Sequence, residues 1–150
     1  MFNLQATQEF KEWFRESAAV TEAGAPLDLF HGTYAQYSEI APSKRGLFGS
    51  GIYLTPYSGN AQEYGDIVLK VHASLQAPVR GTAAEIRSMR LAGETDADFT
   101  ARLQLFGYDG IIVVDACGFP YTVVAFASSQ VKIASQNIWA ADFAREPVIH

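Results

Sequence analysis

Two apolar runs, Ile111–Val114 and Tyr121–Phe126, are joined by a turn around Gly118. They constrain this chain most, because they predict an antiparallel hairpin. Val131–Ile133 reads as a further strand beyond it. Upstream, Ile67–Leu75 alternates, with Ile67, Leu69, Val71 and Ala73 on one face and Lys70, His72 and Ser74 on the other. That pattern predicts a half-buried strand with His72 exposed, ended by Pro78. Gly24 and Pro26 break the chain before an apolar strand, Leu27–Phe30, which delivers His31; Ile52–Thr55 reads as a short strand.

Between the strands the pattern turns helical. Phe10, Trp13, Phe14 and Ala18 recur at helical spacing, with Lys11, Glu12, Arg15 and Glu16 opposite. This predicts an amphipathic helix over 7–18, capped by Thr7 and packed on the core. Ser58 caps a brief helix carrying Ala61 and Tyr64. Thr82 with Glu85, and Thr95 with Asp98, have capping-box spacing and open two further helices. Phe99, Leu103 and Phe106 form the apolar side of the second, and Gly107 is its C-terminal cap. Residues 41–51, with Pro42, Ser43, Lys44, Arg45 and three glycines, read as a mobile loop. Strands scattered among short helices, with one hairpin, predict an α+β fold.

The chain has 150 residues, 49% hydrophobic and 18% charged, and one domain over 1–150 is expected. No apolar run approaches the roughly 18–20 residues of a membrane span. Met1–Gln5 shows no signal-peptide pattern, and the single Cys117 fits a reducing compartment. A cytoplasmic location away from membranes is therefore expected. A net charge of −5 argues against broad nucleic-acid binding. The three histidines lack clustered acidic or cysteine partners, so no metal site is expected. Cys117 carries no nucleophile signature and reads as a small buried or turn residue.

Three elements stand in order: His31-Gly32-Thr33 after a strand, then Gly49-Ser50-Gly51-Ile52-Tyr53, then Ala61-Gln62-Glu63-Tyr64. Together they resemble the NAD-binding core of the diphtheria-toxin and poly(ADP-ribose) polymerase branch of ADP-ribosyltransferases. Gly24-Ala25-Pro26-Leu27 leading into Phe30-His31-Gly32-Thr33 is similar to small phage- and mobile-element-encoded members, toxin-like or effector-type. Gly107-Tyr108-Asp109-Gly110-Ile111-Ile112 and Val123-Val124-Ala125-Phe126, with Gln130-Val131-Lys132, echo the family's last hairpin.

The resemblance implies a split, two-sheet ADP-ribosyltransferase fold with an N-terminal amphipathic helix. It implies NAD as substrate, with ADP-ribose passed to a macromolecular target, a protein of the host or another target, and nicotinamide released. By the same resemblance His31 hydrogen-bonds the hydroxyls of the adenosine-side ribose. Gly32 offers its backbone to the carboxamide, where no Cβ obstructs approach. Tyr53 stacks on the nicotinamide, and Tyr64 closes the slot. Thr33 and Ala61 belong to the same binding motifs, and Arg45, with Lys44, meets the pyrophosphate or a target protein.

One position departs from the family. The polymerase-like members place a glutamate eight residues before the Gln of the Gln-Val pair, where it stabilises the oxocarbenium-like transition state. Counting back from Gln130 gives Thr122. Three readings stay open: transfer without the acid, with the acceptor bringing its own base; Asp115 supplying the carboxylate; or NAD binding without transfer, as a silent or inhibitory domain. A single ADP-ribose rather than a chain is expected. An RNA 2′-phosphotransferase of related fold is disfavoured, because its paired arginines are not found.

Overall fold

The computed structural model describes residues 4–33, 40–61 and 67–135. A short 3-10 turn (Leu4–Ala6) and α1 (Gln8–Phe14) precede β1 (Leu29–Thr33), β2 (Ile52–Leu54), α2 (Ser58–Ala61) and β3 (Ile67–Ala73). Then come β4 (Pro78–Thr82), α3 (Ala83–Ser88), α4 (Asp96–Leu105), β5 (Gly110–Val114), β6 (Pro120–Ala125) and β7 (Val131–Ser135). Two sheets result, ordered β1-β3-β7 and β2-β6-β5-β4. The fold is α+β, with the split two-sheet arrangement expected from the sequence.

The core lies in two layers. Between the sheets, Leu29, Leu69, Val71 and Ala73 meet Ile52, Leu54, Ile112, Val123 and Ala125. On the far face of the four-stranded sheet, Ile111, Val113 and Val124 pack under Ile86, Phe99 and Leu103 of α3 and α4. Burial on both faces explains why β5 reads as an unbroken apolar run instead of alternating. The β5–β6 hairpin forms as expected, in antiparallel register from Gly110↔Ala125 to Val114↔Pro120.

Several local expectations hold at the level of single hydrogen bonds. The Thr7 hydroxyl accepts from Phe10 N–H. At α3 the Thr82 hydroxyl accepts from Glu85 N–H, while the Glu85 carboxylate accepts from Thr82 N–H, completing the box. At α4 the Thr95 hydroxyl accepts from Asp98 N–H. Gly107 follows the helix at φ 93°, the left-handed conformation that suits glycine.

Other expectations are corrected. The first helix ends at Phe14, because Arg15 turns at φ 45° and the following residues serve the sheet. Ser17 Oγ donates to Ala73 O, and Ala18 N–H donates to Leu75 O. His31 and Gly32 lie inside β1 rather than after it. The face of β3 read as solvent-facing is covered by α1: His72 is 2% exposed, edge-on to Phe10 at 5.6 Å. Its Nδ1 faces Leu27 O at 3.1 Å. Pro78 does not merely end β3 but opens β4, which pairs in parallel with β5. A proline costs little at the first position of an edge strand. Phe106 caps α4 and is 70% exposed, so it is not part of the apolar side. Cys117 is exposed in the hairpin turn.

Candidate functional site

The two sheets meet where β1 runs past the end of β2. Phe30 and Thr55 exchange backbone hydrogen bonds of 2.7 and 3.1 Å there, and a gap lined by strands of both sheets lies beside this bridge. The gap is a cleft of about 420 Å³. His31 and Gly32 line it from β1, Tyr53 from β2, Tyr121 and Thr122 from β6, and Arg45 to Phe48 from the preceding loop. A second cavity of about 290 Å³ adjoins it and shares Tyr53, Tyr121 and Thr122.

His31 ties the sheets together at the cleft. Its Nδ1 lies 3.0 Å from Tyr53 O. A carbonyl only accepts, so Nδ1 carries the hydrogen and Nε2 is left as an acceptor. Burial pushes the imidazole pKa below its usual value, against the smaller opposing effect of the Tyr53 carbonyl. The ring is therefore neutral at pH 7, and Nε2 can accept a hydroxyl hydrogen.

Tyr53 has a second task that the sequence reading did not include. Its hydroxyl accepts from Phe48 N–H and donates to Gly49 O, both at 2.7 Å. Its ring lies nearly parallel to Phe48, with centroids 6.5 Å apart. The segment read as mobile is thus tied down. Ser43 and Gly51 close its neck through two backbone hydrogen bonds of 2.8 and 3.0 Å. Ser50 Oγ donates to Lys44 O. Glycine is required three times: a Cβ on Gly46 would collide with the anchored Tyr53 hydroxyl, one on Gly51 would come within 2.5 Å of Val124 Cγ1, and one on Gly49 (φ 96°) within 2.7 Å of the Thr100 hydroxyl.

The structure brings His31, Gly32, Arg45, Tyr53 and Thr122 together at one cleft. Thr122 is half-buried on β6, paired with Val113, and lines both cavities. Thr33 is buried at the end of β1, and Ala61 is buried on α2; neither lines the cleft. Tyr64 lies outside the described residues. Asp115 sits in the hairpin turn, where Oδ1 accepts from Cys117 N–H at 2.9 Å and Phe119 N–H at 3.0 Å. It is not brought to the cleft. Tyr121 and Phe48 are lining residues that sequence reasoning missed; adjacency to Thr122 and to Gly49 was the available signal.

Among the described residues no His, Cys, Asp and Glu cluster could hold a metal ion, and no helix is long and apolar enough to cross a membrane. A family model described as ADP-ribosyltransferase in polyvalent proteins matches residues 21–140. A comparison with curated proteins finds no match. Among solved structures, the chain is similar to one titled "Crystal structure of an anti-CRISPR protein". The two are 18% identical, the match covers 71% of this chain and 93% of that one, and the TM-score is 0.43.

Proposed function

Because this chain belongs to the ADP-ribosyltransferase family found in polyvalent proteins, we propose that it transfers a single ADP-ribose from NAD to a protein target and releases nicotinamide. The observation that carries this is the convergence of His31, Gly32, Tyr53 and Thr122 on one cleft, from three strands of two sheets. These residues fit the substrate. The neutral His31 offers Nε2 to a ribose hydroxyl, and the Gly32 backbone offers amide-matching groups to a carboxamide. The Tyr53 ring offers a face for an aromatic ring, worth order 1 kcal/mol beyond area burial. Arg45 offers a cation to the pyrophosphate.

In the proposed step the nicotinamide–ribose C–N bond breaks, and its electron pair leaves with nicotinamide. The acceptor's nucleophile then gives its pair to the anomeric carbon and loses its proton to a base. Positive charge develops on the ribose in the transition state, where a carboxylate would be most effective. Thr122 supplies a neutral hydroxyl there, which supports transfer that is slow and stops at one unit. The test is incubation of the purified chain with labelled NAD and a host lysate, with mass spectrometry of the products. A single ADP-ribose on a protein is expected; polymer, or nicotinamide release without any modified protein, would overturn this reading.

A further inference from the structure

Resting on the reading of the cleft as an NAD site, we propose that Asp96, at the start of α4, is a positioning residue for it. Its carboxylate holds the loop that roofs the cleft, and so sets where Arg45, Gly46, Leu47 and Phe48 meet the substrate. Seven of the twelve residues lining the cleft belong to this loop, residues 41–51. Asp96 Oδ2 accepts from Gly46 N–H at 3.1 Å, while Oδ1 pairs with the Arg90 guanidinium. The carboxylate thus bridges the roof on one side and a cation on the other.

Two further ties fasten the same loop to the same helix. The Thr100 hydroxyl donates to Ser50 O at 2.9 Å, and Ser50 N–H donates to Asp96 O at 3.4 Å; Gly49 packs so close to Thr100 that it could carry no side chain. Beneath the loop the platform is cross-linked by charged groups. Arg90 donates to Glu94 O, Arg102 pairs with the Glu94 carboxylate at 2.7 Å, and the two guanidinium groups flank Phe99 at 5.6 and 5.7 Å. Arg90 first, and the Gly46 amide second, hold the Asp96 carboxyl below its usual pKa. Asp96 remains anionic throughout the neutral range. Its hydrogen bond to Gly46 is charge-assisted and stronger than a neutral one.

Asp96 does not itself line the cleft; it acts through the Gly46 amide and, at longer range, through the charge of Arg45. A roof preset in position mainly holds the bound substrate and also orients it for reaction, so loosening it raises KM by more than it lowers kcat. Asp96→Ala is expected to weaken NAD binding roughly tenfold, the scale of one charged hydrogen bond. Asp96→Asn should fall between, because one amide oxygen cannot serve both Gly46 and Arg90. Glu94→Gln cuts the Arg102 pair of the same platform without touching the loop; it should lower stability and leave NAD affinity as in the parent.

Hydrogen exchange gives a readout that needs no NAD. The Gly46 amide should exchange about tenfold faster in Asp96→Ala than in the parent, while amides of β5 keep their protection. Parent-like Gly46 exchange in Asp96→Ala, or equal loss of NAD affinity in Glu94→Gln, would overturn the proposal. If the parent binds no NAD but Gly46 protection still depends on Asp96, the latch stands and the NAD reading falls.

Discussion

Replacing Tyr53 by Phe separates the two things this side chain does. The ring stays, so its face toward the cleft and its contact with Phe48 are kept. Only the hydroxyl is lost, and with it the hydrogen bonds to Phe48 N–H and Gly49 O, each 2.7 Å long. A typical intramolecular hydrogen bond contributes about 1 kcal/mol net, so the pair contributes about 2 kcal/mol. Phe48 is 4% exposed, which leaves its N–H without ready access to water and raises the cost to about 2–3 kcal/mol. For a chain of this size that lowers Tm by roughly 4–12 °C. Urea unfolding followed by far-UV circular dichroism measures the free energy directly. Tyr53→Ala should lose a further increment of about 1 kcal/mol in NAD affinity, because only that variant removes the ring. A Tyr53→Phe protein within 0.5 kcal/mol of the parent would refute the reasoning, since the hydroxyl would then not be what holds the loop.

Three other residues give testable outcomes. His31 titrates below its ordinary value when folded; its contribution is complete above the unfolded pKa of about 6.5 and is lost as pH falls through the lower folded pKa. The parent should therefore lose stability and NAD affinity below about pH 6.5 more steeply than His31→Asn, and parallel pH profiles would contradict this. Thr122→Glu should raise NAD hydrolysis by about a hundred- to a thousandfold, the value of one well-placed charged group; an unchanged rate with NAD binding intact would place the reacting centre elsewhere. Asp115→Ala should cost about 1–2 kcal/mol through the two lost turn hydrogen bonds. Asp115→Asn should transfer ADP-ribose at the parent's rate, and abolished transfer in that variant would restore Asp115 as the acid.

Elements whose signals are local were legible in the sequence. The Thr82 box, the Thr95 cap and the Gly118 turn each rest on side chains within a few positions of one another, and all three appear. The order of His31, Gly32 and Tyr53 was legible for a different reason, since a family resemblance carries long-range geometry that periodicity does not. What stayed hidden depends on contacts between distant segments. His72 has the spacing of an exposed strand residue, yet α1, some sixty positions away, covers it; Phe10 is the residue that does so. β4 was hidden because Pro78 reads as a stop, whereas its partner strand β5 supplies the pairing that makes it a strand. The glycine-rich loop read as mobile because its composition is permissive, and Asp96 and Thr100, which hold it, lie about fifty positions downstream.

That loop also bears on why a site with a threonine in place of an acid would be kept in working shape. On the proposed reading, Thr122 offers the ribose a neutral hydrogen bond, about half as strong as one from a charged group. A cleft that stabilises the transition state weakly depends more on holding the reactants in one geometry, because orientation contributes independently of charge. The architecture is consistent with that division. Tyr53 and Asp96 fasten the roof from β2 and α4, and the His31 imidazole fixes β1 to β2 through Tyr53 O. All three ties pass through residues that line the cleft or touch one that does. Pre-set walls with a neutral centre favour a single transfer to an acceptor that supplies its own base over repeated transfer to a sugar hydroxyl, which needs the enzyme to activate it.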